Sequence, residues 1–464
     1  MPQENAKYIR MTTQPVPRLI CALAVPTIIS MLVTALYNIA DTYFVGQLGT
    51  EATAGVGLVF PVMTIIQAFG FFFGQGSGNF ISRALGAKRL DEAEYMASTG
   101  GFCALIFGGL ITLSGLLFRE GVLTVLGARE GLVAPETIGY ASDYLSVILC
   151  GAPFMCLSCV LNNQLRFQGN AVFAMAGLVS GTVLNVALDP LLIFALHMEV
   201  TGAALATAVS QLVGCAILYA GTLRSDSLEL RPRFFRPTPY YLKNIAIGGT
   251  PSLCRQGLAS LATLCLNAAA GASVAAGLSD AAIAAFSVVG KIMMVGVSVV
   301  LGFGQAFQPV CGFNWGAEKY DRVRRGYVFC LQVGVVFLAL ASGLGALFAP
   351  QIIALFRDDP AVIEIGAVAM RCQCCTFTVM AVVTITNMLY QNIGRLAGAT
   401  LLAVARQGLM FIPVVLILPR LFPTPIWGVY LAQPTADLFA FTLALILGVR
   451  MYRELKQRER AARG

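Results

Sequence analysis

Long runs of apolar residues alternate with short polar stretches along almost the whole chain. A helix that crosses a bilayer needs about 20 largely apolar residues, and twelve runs reach that length. They cover residues 17–45, 52–82, 96–118, 138–162, 172–196, 201–223, 241–271, 280–312, 326–349, 361–391, 396–418 and 426–450. The pattern therefore predicts twelve membrane-spanning helices, several of them long enough to be tilted or kinked.

The second half of the chain repeats the first. Phe73-Gly74-Gln75 recurs 230 positions later as Phe303-Gly304-Gln305, and Gly86-Ala87 recurs as Gly316-Ala317. Six spans in each half is an even number, so both halves begin on the same side of the membrane. The sequence thus predicts an all-α integral membrane protein, with two six-helix bundles related by a pseudo-twofold axis along the membrane normal.

The predicted domains follow from this division. They are a cytoplasmic N-tail at 1–16, an N-terminal six-helix lobe at 17–224, a cytoplasmic linker at 225–239, a C-terminal six-helix lobe at 240–450 and a basic cytoplasmic tail at 451–464. The orientation rests on Lys and Arg, which favour the cytoplasmic side of a membrane. Most of these residues lie in loops that share one side with both termini, which predicts a multi-pass protein of the cell (inner) membrane with both termini in the cytoplasm.

The composition also indicates a membrane protein. Hydrophobic residues make up 57% of the chain and charged residues 12%, with a mean hydropathy of +0.77, values outside the range of soluble globular domains. The net charge of +8 is accounted for by the basic loops on one side of the membrane. We therefore expect no nucleic-acid partner.

Carboxylates within the predicted spans are few, and they are the candidates for ion coupling. A charge in hydrocarbon costs at least about 2.5–3.5 kcal/mol, so it persists there only with a partner or a task. Asp41 lies in the first span, and Asp189 lies in the fifth span one helical turn after Asn185. Pro190, directly after Asp189, removes a backbone hydrogen bond and leaves local polarity beside the acid. We expect this pair of acids to bind and release H⁺ or Na⁺.

Several motifs resemble those of one transporter family. They are Tyr37-Asn38-Ile39-Ala40-Asp41-Thr42, Gly46-Gln47-Leu48-Gly49, Ser82-Arg83-Ala84-Leu85-Gly86, Asn185-Val186-Ala187-Leu188-Asp189-Pro190 and Gly302-Phe303-Gly304-Gln305-Ala306-Phe307-Gln308-Pro309. From about residue 17 to 450 the chain resembles the multidrug and toxic compound extrusion (MATE) transporters, most closely the prokaryotic branch with MepA-like and DinF-like exporters. The resemblance implies cation-coupled export of organic, often cationic and aromatic, compounds by alternating access.

The resemblance also implies roles for individual residues. The cation-coupling network of this branch corresponds to Asp41, Asn185, Asp189 and Thr207. The substrate-binding positions correspond to Tyr37, Asn162 and Thr34. Thr34 departs from the family pattern, because archaeal relatives tend to have Gln there.

The second half carries basic residues within its spans and lacks the acids that another branch of the family uses there. These residues are Arg255, Lys291, Arg371 and Arg406, with Asp437 on the last span. Basic groups at this depth need acids, carbonyls or water. We expect Asp437 to pair with Lys291 or Arg371 in a structural ion pair, the alternative being that the basic residues bind substrate.

Other classes of function remain as alternatives. A flippase for lipids or lipid-linked oligosaccharides would use basic residues to bind phosphate. An integral membrane enzyme would need a nucleophile or a metal site, and one His with scattered Cys supplies neither. We expect no cofactor and no bound metal apart from H⁺ or Na⁺ as the coupling ion, and no enzymatic activity. The expected partners are a small-molecule drug or metabolite and membrane lipid, and the expected state is a monomer.

Overall fold

The computed structural model describes residues 2–129, 134–224, 228, 230–274, 278–357 and 359–462; the side chains of 2–5, 38, 39 and 41–43 are not described. Within these ranges the chain is α-helical and contains no strand, because a chain in hydrocarbon must pair its backbone polar groups internally. The first half contains α1 (Pro2–Thr13), α2 (Val16–Gly46), α3 (Thr50–Gly86), α4 (Leu90–Leu117), α5 (Arg119–Val125), α6 (Pro135–Phe167), α7 (Ala171–Pro190), a π-helical segment (Leu191–Ala195) and α8 (Glu199–Arg224).

The second half follows the same order of elements. It contains α9 (Pro239–Ala272), α10 (Ser279–Gly316), α11 (Tyr320–Leu347), α12 (Ala349–Ala354), α13 (Pro360–Phe377), α14 (Met380–Asn392), α15 (Leu396–Val404), a second π-helical segment (Ala405–Met410), α16 (Phe411–Ile417) and α17 (Pro425–Ala461). Short 3₁₀ turns occupy Pro232–Phe234, between the halves, and Leu418–Arg420.

The membrane-spanning helices fit the predicted twelve-span layout. Among the described residues, ten helices are long and apolar enough to cross a membrane, and α13 with α14, bent by 53°, forms an eleventh span. The twelfth predicted span corresponds to α9, which has 34 residues and stands in the second repeat where α2 stands in the first. Lys243 and Arg255 place two charges within α9. The predicted all-α, two-repeat fold is confirmed.

Matching backbone geometry marks the repeat at residue level. Lys88 and Glu318, each two residues after a helix that ends in Gly, have φ of 60° and 59°. Asn162 Nδ2 donates to the carbonyl oxygen of Ala174 at 2.9 Å, and Asn387 Nδ2 donates to that of Ala399 at 2.6 Å. Each Asn thereby joins the fourth span of its repeat to the fifth.

The chain divides into two compact units, and two of the three boundaries fall inside helices. One unit contains Met1–Thr13 and Val25–Leu253, and the other contains Gln14–Ala24 and Cys254–Gly464. The first boundary lies between α1 and α2. The other two fall within α2 and α9, close to Pro26 and Pro251, which lie inside these helices. Proline removes a backbone hydrogen bond from a helix interior. Each of these helices therefore passes from one unit to the other near the turn that its proline weakens.

Glycines let α3 and α6 approach closely inside the first unit. A Cβ atom on Gly70 would lie 2.8 Å from Cys159 Cβ, and one on Gly78 would lie 2.1 Å from Phe167 Cδ2. Gly74, midway between them, faces Asn163 in the same way. Residues four apart share one helix face, so the sequence pattern of these three glycines predicts a close helix contact on this face.

Substituting Gly78 by Val should lower the thermal stability of the protein in detergent. The added side chain would overlap the ring of Phe167, which is fully buried and cannot move away, and overpacking of this kind costs about 1–3 kcal/mol. Gly57→Val on the same helix is the control, because a Cβ there meets nothing within 4 Å. The measurement is a melting curve of each variant, followed by size-exclusion chromatography. Equal melting temperatures of the two variants would contradict the contact.

Candidate functional site

Three predicted coupling residues meet between α7 and α8. Asp189 is fully buried, and Asn185 and Thr207 are each 2% exposed. In the amide orientation that satisfies its neighbours, Asn185 Nδ2 donates to Asp189 Oδ2 at 3.1 Å, while Asn185 Oδ1 accepts from the Thr207 backbone N–H at 3.1 Å. Asn185 therefore bridges the carboxylate on α7 to the backbone of α8.

The backbone around Asp189 departs from regular helix. Pro190 ends α7, and the chain continues as the π-helical segment Leu191–Ala195. Proline and π-helical turns both disturb the regular backbone hydrogen bonds. Gly202 near the start of α8 fits against this segment, since a Cβ there would lie 2.9 Å from the Leu192 carbonyl. The disturbed turn thus lies beside the buried acid and is covered by α8.

Close packing of α7 against α8 fixes the distance between Asn185 and Thr207. A Cβ on Gly181 would lie 3.1 Å from the Ser210 carbonyl oxygen, and one on Gly214 would lie 3.3 Å from the Gly177 carbonyl oxygen. Small residues at such a crossing bring the helix backbones together. The polar side chains are then held within hydrogen-bond reach and shielded from solvent.

The residues predicted on α2 are described only in part. Tyr37 and Thr34 are half-buried, and Thr34 Oγ1 donates to the Ser30 carbonyl oxygen of its own helix at 2.8 Å. The side chain of Asp41 lies outside the described residues. The structure therefore assembles Asn185, Asp189 and Thr207, while the pairing of Asp41 with Asp189 stays a prediction.

Asn162 has a partner that sequence reasoning did not anticipate. Its amide is buried and donates to the Ala174 carbonyl oxygen on α7. Its counterpart Asn387 makes the same bond in the second repeat. The repeated bond gives Asn162 a packing role, and the substrate contact that the family resemblance implies for it stays a prediction.

A second buried polar group in the first unit was missed from the sequence. Gln75 Nε2 and Arg166 Nη2 both donate to Asn163 Oδ1, at 2.9 and 2.5 Å. Gln164 Nε2 donates to Ser77 Oγ at 3.0 Å. These bonds join α3 to the C-terminal end of α6. The sequence signal was Gln75 within the repeated Phe-Gly-Gln motif, which we interpreted only as a marker of duplication.

In the second unit, Asp437 pairs with Arg406 and not with Lys291 or Arg371, so that prediction is wrong. Arg406 Nε donates to Asp437 Oδ1 at 2.9 Å, and Gln433 Nε2 donates to the same oxygen at 2.8 Å. The side chain of Arg371 instead donates to the Ala346 carbonyl oxygen at 3.2 Å. The position of a residue within its predicted span indicates the depth of its charge in the membrane. The direction in which its side chain points decides which charges form an ion pair.

The two repeats place polar groups between corresponding helices. In the first unit Asp189 on the fifth span faces the sixth span, and in the second unit Arg406 on the fifth span faces Asp437 on the sixth. Arg406 belongs to the π-helical segment Ala405–Met410, so both groups lie at or beside a π-helical turn. The first group contains a buried carboxylate, whereas the second contains an ion pair whose net charge is zero.

Metal-binding and redox chemistry find no support in the described residues. All thirteen cysteines are free, and no group of three or more His, Cys, Asp or Glu side chains among the described residues could hold a metal ion. Cys156, from the Cys-x-x-Cys pair, donates its thiol proton to the Ile66 carbonyl oxygen at 3.5 Å. It therefore serves as a buried packing residue.

Duplicated apolar helices and a buried acid beside a broken helix define a class, the membrane transporters built from two repeats. A family model described as MatE matches residues 26–191 and 258–417. The chain belongs to this family, and it is a transporter rather than an enzyme. The family resemblance seen in the sequence is confirmed.

Individual relatives cover nearly the whole chain. Multidrug export protein MepA of Staphylococcus saprophyticus is 28% identical over 432 residues, or 92% of this chain and 93% of that protein. The structure of an outward-facing multidrug resistance MATE family transporter of the MOP superfamily has a TM-score of 0.90 and 28% identity, with 97% of this chain and 98% of that chain covered. A MATE crystal structure in complex with MaL6 has a TM-score of 0.90 and 27% identity, with coverage of 97% and 99%.

Substituting Arg406 by Gln should destabilise the protein. The change leaves Asp437, whose side chain is 4% exposed, as a buried charge without its partner, and such a loss costs about 3 kcal/mol. The double variant R406Q/D437N should recover part of the melting temperature. Arg371→Gln is the control, because Arg371 is exposed and donates to a carbonyl; equal melting of R406Q and R371Q would refute the structural pair.

Proposed function

We propose that this protein is a secondary active multidrug efflux antiporter, which exports organic, cationic aromatic compounds in exchange for H⁺ or Na⁺ by alternating access. The observation that carries the proposal is the buried Asp189, bridged by Asn185 to α8. A carboxylate at this depth has a high energetic cost unless it binds a cation. When the cation comes from an ion gradient, the carboxylate couples transport to that gradient.

The names of the relatives support the substrate class. The relative from S. saprophyticus is called a multidrug export protein, and the outward-facing neighbour is called a multidrug resistance transporter. Both cover more than nine-tenths of this chain. Half-buried Tyr37 on α2 supplies an aromatic face of the kind that attracts organic cations.

In the proposed coupling mechanism, a cation on the Asp41 and Asp189 carboxylates changes the conformation of α2. Pro26 lies inside α2 and removes one backbone hydrogen bond there, which makes that turn the place where the helix bends. Tyr37 and Thr34, on the same helix as Asp41, would then move with it. Loading the acid site thus changes the affinity for substrate at Tyr37, Thr34 and Asn162.

The proposed setting of the transporter is the cell membrane, with both termini in the cytoplasm. The distribution of Lys and Arg among the loops supports this orientation. We propose that the predicted lobes, 17–224 and 240–450, are the two bodies that move during transport, and that the protein acts as a monomer. No organic cofactor has a role in this mechanism.

A flippase for lipids or lipid-linked oligosaccharides is the second candidate, and Arg255 is the observation that favours it. Its guanidinium is half-buried on α9 and makes no hydrogen bond or ion pair within the described ranges. A phosphate group would provide the missing partner. Against this candidate stands the acid site of the first repeat, which a phosphate-bearing substrate does not require.

Asp41→Asn and Asp189→Asn should each reduce gradient-driven transport to the rate of empty liposomes. Either change removes a carboxylate that binds the coupling ion while preserving the shape of the side chain. The assay uses proteoliposomes loaded with a fluorescent organic cation, under an imposed pH gradient and then a Na⁺ gradient. The gradient that drives movement identifies the coupling ion.

Asp143→Asn is the matched control, because Asp143 is an exposed carboxylate on α6 of the same unit. It should retain wild-type transport. Full activity of both D41N and D189N would refute the coupling site. If the wild-type protein moves no organic cation under either gradient but does move a fluorescent phospholipid between leaflets, the flippase is the correct function.

A further inference from the structure

We infer that the inner end of α17 carries a binding site for one anionic phospholipid. A groove of about 830 Å³ runs along this helix, with apolar walls at Leu445, Ile446 and Val449 and polar walls at Arg450, Arg453 and Gln457. Its occupant needs an apolar chain joined to an anionic head. In a membrane that combination is a phospholipid with a net negative headgroup.

The apolar part of the groove faces outward from the second unit. Leu445, Ile446 and Val449 are 48%, 62% and 42% exposed, although the opposite face of α17 is buried at Ala444, Gly448 and Met451. In a membrane-spanning helix, exposed aliphatic side chains of this kind contact acyl chains. Arg450 and Arg453 follow on the same side of the helix, where hydrocarbon gives way to the headgroup layer.

The two arginines of the groove are not engaged in ion pairs with the described residues. Arg450 and Arg453 are exposed and make no hydrogen bond or ion pair in the part of the chain that the structure describes. Two neighbouring basic residues are paired: Arg324 Nη2 lies 3.0 Å from Glu459 Oε2, and Arg458 Nε lies 3.1 Å from Glu454 Oε1. The charge of the groove is therefore available to an outside anion.

One acid also lines the groove, and its charge is already neutralised. Glu454 accepts hydrogen bonds from both Arg395 and Arg458. The groove thus has a net positive charge from Arg450 and Arg453. Arginine binds phosphate with two parallel N–H groups, and a basic residue close to an anionic membrane contributes about 1 kcal/mol to the attraction.

The basic part of the site is built by a helical extension that the first repeat lacks. The sixth span of the first repeat, α8, ends at Arg224, whereas α17 continues past Arg450 as far as Ala461. Ion pairs to Arg324 and Arg395 hold this extension, and Leu455 on it is fully buried. Arg453 is therefore held in place on a fixed helix rather than on a loose tail.

The test compares two double variants of the full-length protein that remove equal charge from the same helix. R450Q/R453Q changes the groove, and K456Q/R460Q changes two exposed basic residues that do not line it. Each protein is titrated in detergent with phosphatidylglycerol or with phosphatidylcholine of the same acyl chains. Native mass spectrometry then counts the bound lipids.

We expect wild type and K456Q/R460Q to retain one phosphatidylglycerol in preference to phosphatidylcholine. R450Q/R453Q should bind it about thirtyfold more weakly, because two headgroup contacts are lost. Glycerol phosphate at the same concentration should not displace the lipid, since it lacks the acyl chain that the apolar wall binds. Melting curves of all three proteins check that the variants fold.

An equal loss of phosphatidylglycerol binding in both double variants would assign the binding to general surface charge. Unchanged binding in both variants would show that the groove is not a lipid site. Displacement by glycerol phosphate would make it a site for free phosphate compounds. A change from dimer to monomer in R450Q/R453Q with unchanged lipid binding would assign the groove to a second copy of the chain.

As an independent readout, fluorescence of Val449→Trp should be quenched more by brominated phosphatidylglycerol than by brominated phosphatidylcholine.

Discussion

Hydrocarbon offers no hydrogen-bond partner to a backbone, and this constraint determines the architecture of the protein. Every described segment at membrane depth is helical, because only an internal partner satisfies each N–H and C=O group. Departures from regular helix are therefore costly and confined to a few places. The two π-helical segments, Leu191–Ala195 and Ala405–Met410, adjoin or contain the charged groups Asp189 and Arg406. Irregular backbone and buried charge thus occur together in both repeats, as they do at functional sites of other helices.

Within this common plan the repeats differ in charge. In the first repeat the amide of Asn185 bridges Asp189 to α8. In the second repeat Asp437 accepts from both Arg406 and Gln433, so its charge is already compensated. The duplicated scaffold thus carries a buried carboxylate bridged by an amide in one repeat and an ion pair in the other. This difference supports the proposal that ion coupling lies in the first repeat.

Much of the fold was predictable because its signals are periodic along the chain. Apolar runs of sufficient length gave the spans, and repeated Phe-Gly-Gln and Gly-Ala motifs gave the duplication. The glycines at 70, 74 and 78 share one face of α3 by their spacing, which is typical of a close helix contact but does not identify α6 as the partner. The site was predictable only in part. Asn185 and Asp189 share a helix face, but the partner of Asp437 depends on side-chain direction across helices, which sequence spacing does not encode. The π-helical turns likewise depend on local packing, such as that of Gly202 against Leu192.

The helices that change unit have a consequence for how the chain is made. The first unit requires residues as far as Leu253, well beyond the linker, and the second unit requires Gln14–Ala24 from the beginning of the chain. During synthesis the first unit cannot be complete until the start of α9 has been inserted. The earliest segment of α2 must in turn wait for a partner that is translated more than two hundred residues later. A chain cut within the linker would leave each fragment holding a helical segment that packs in the other unit.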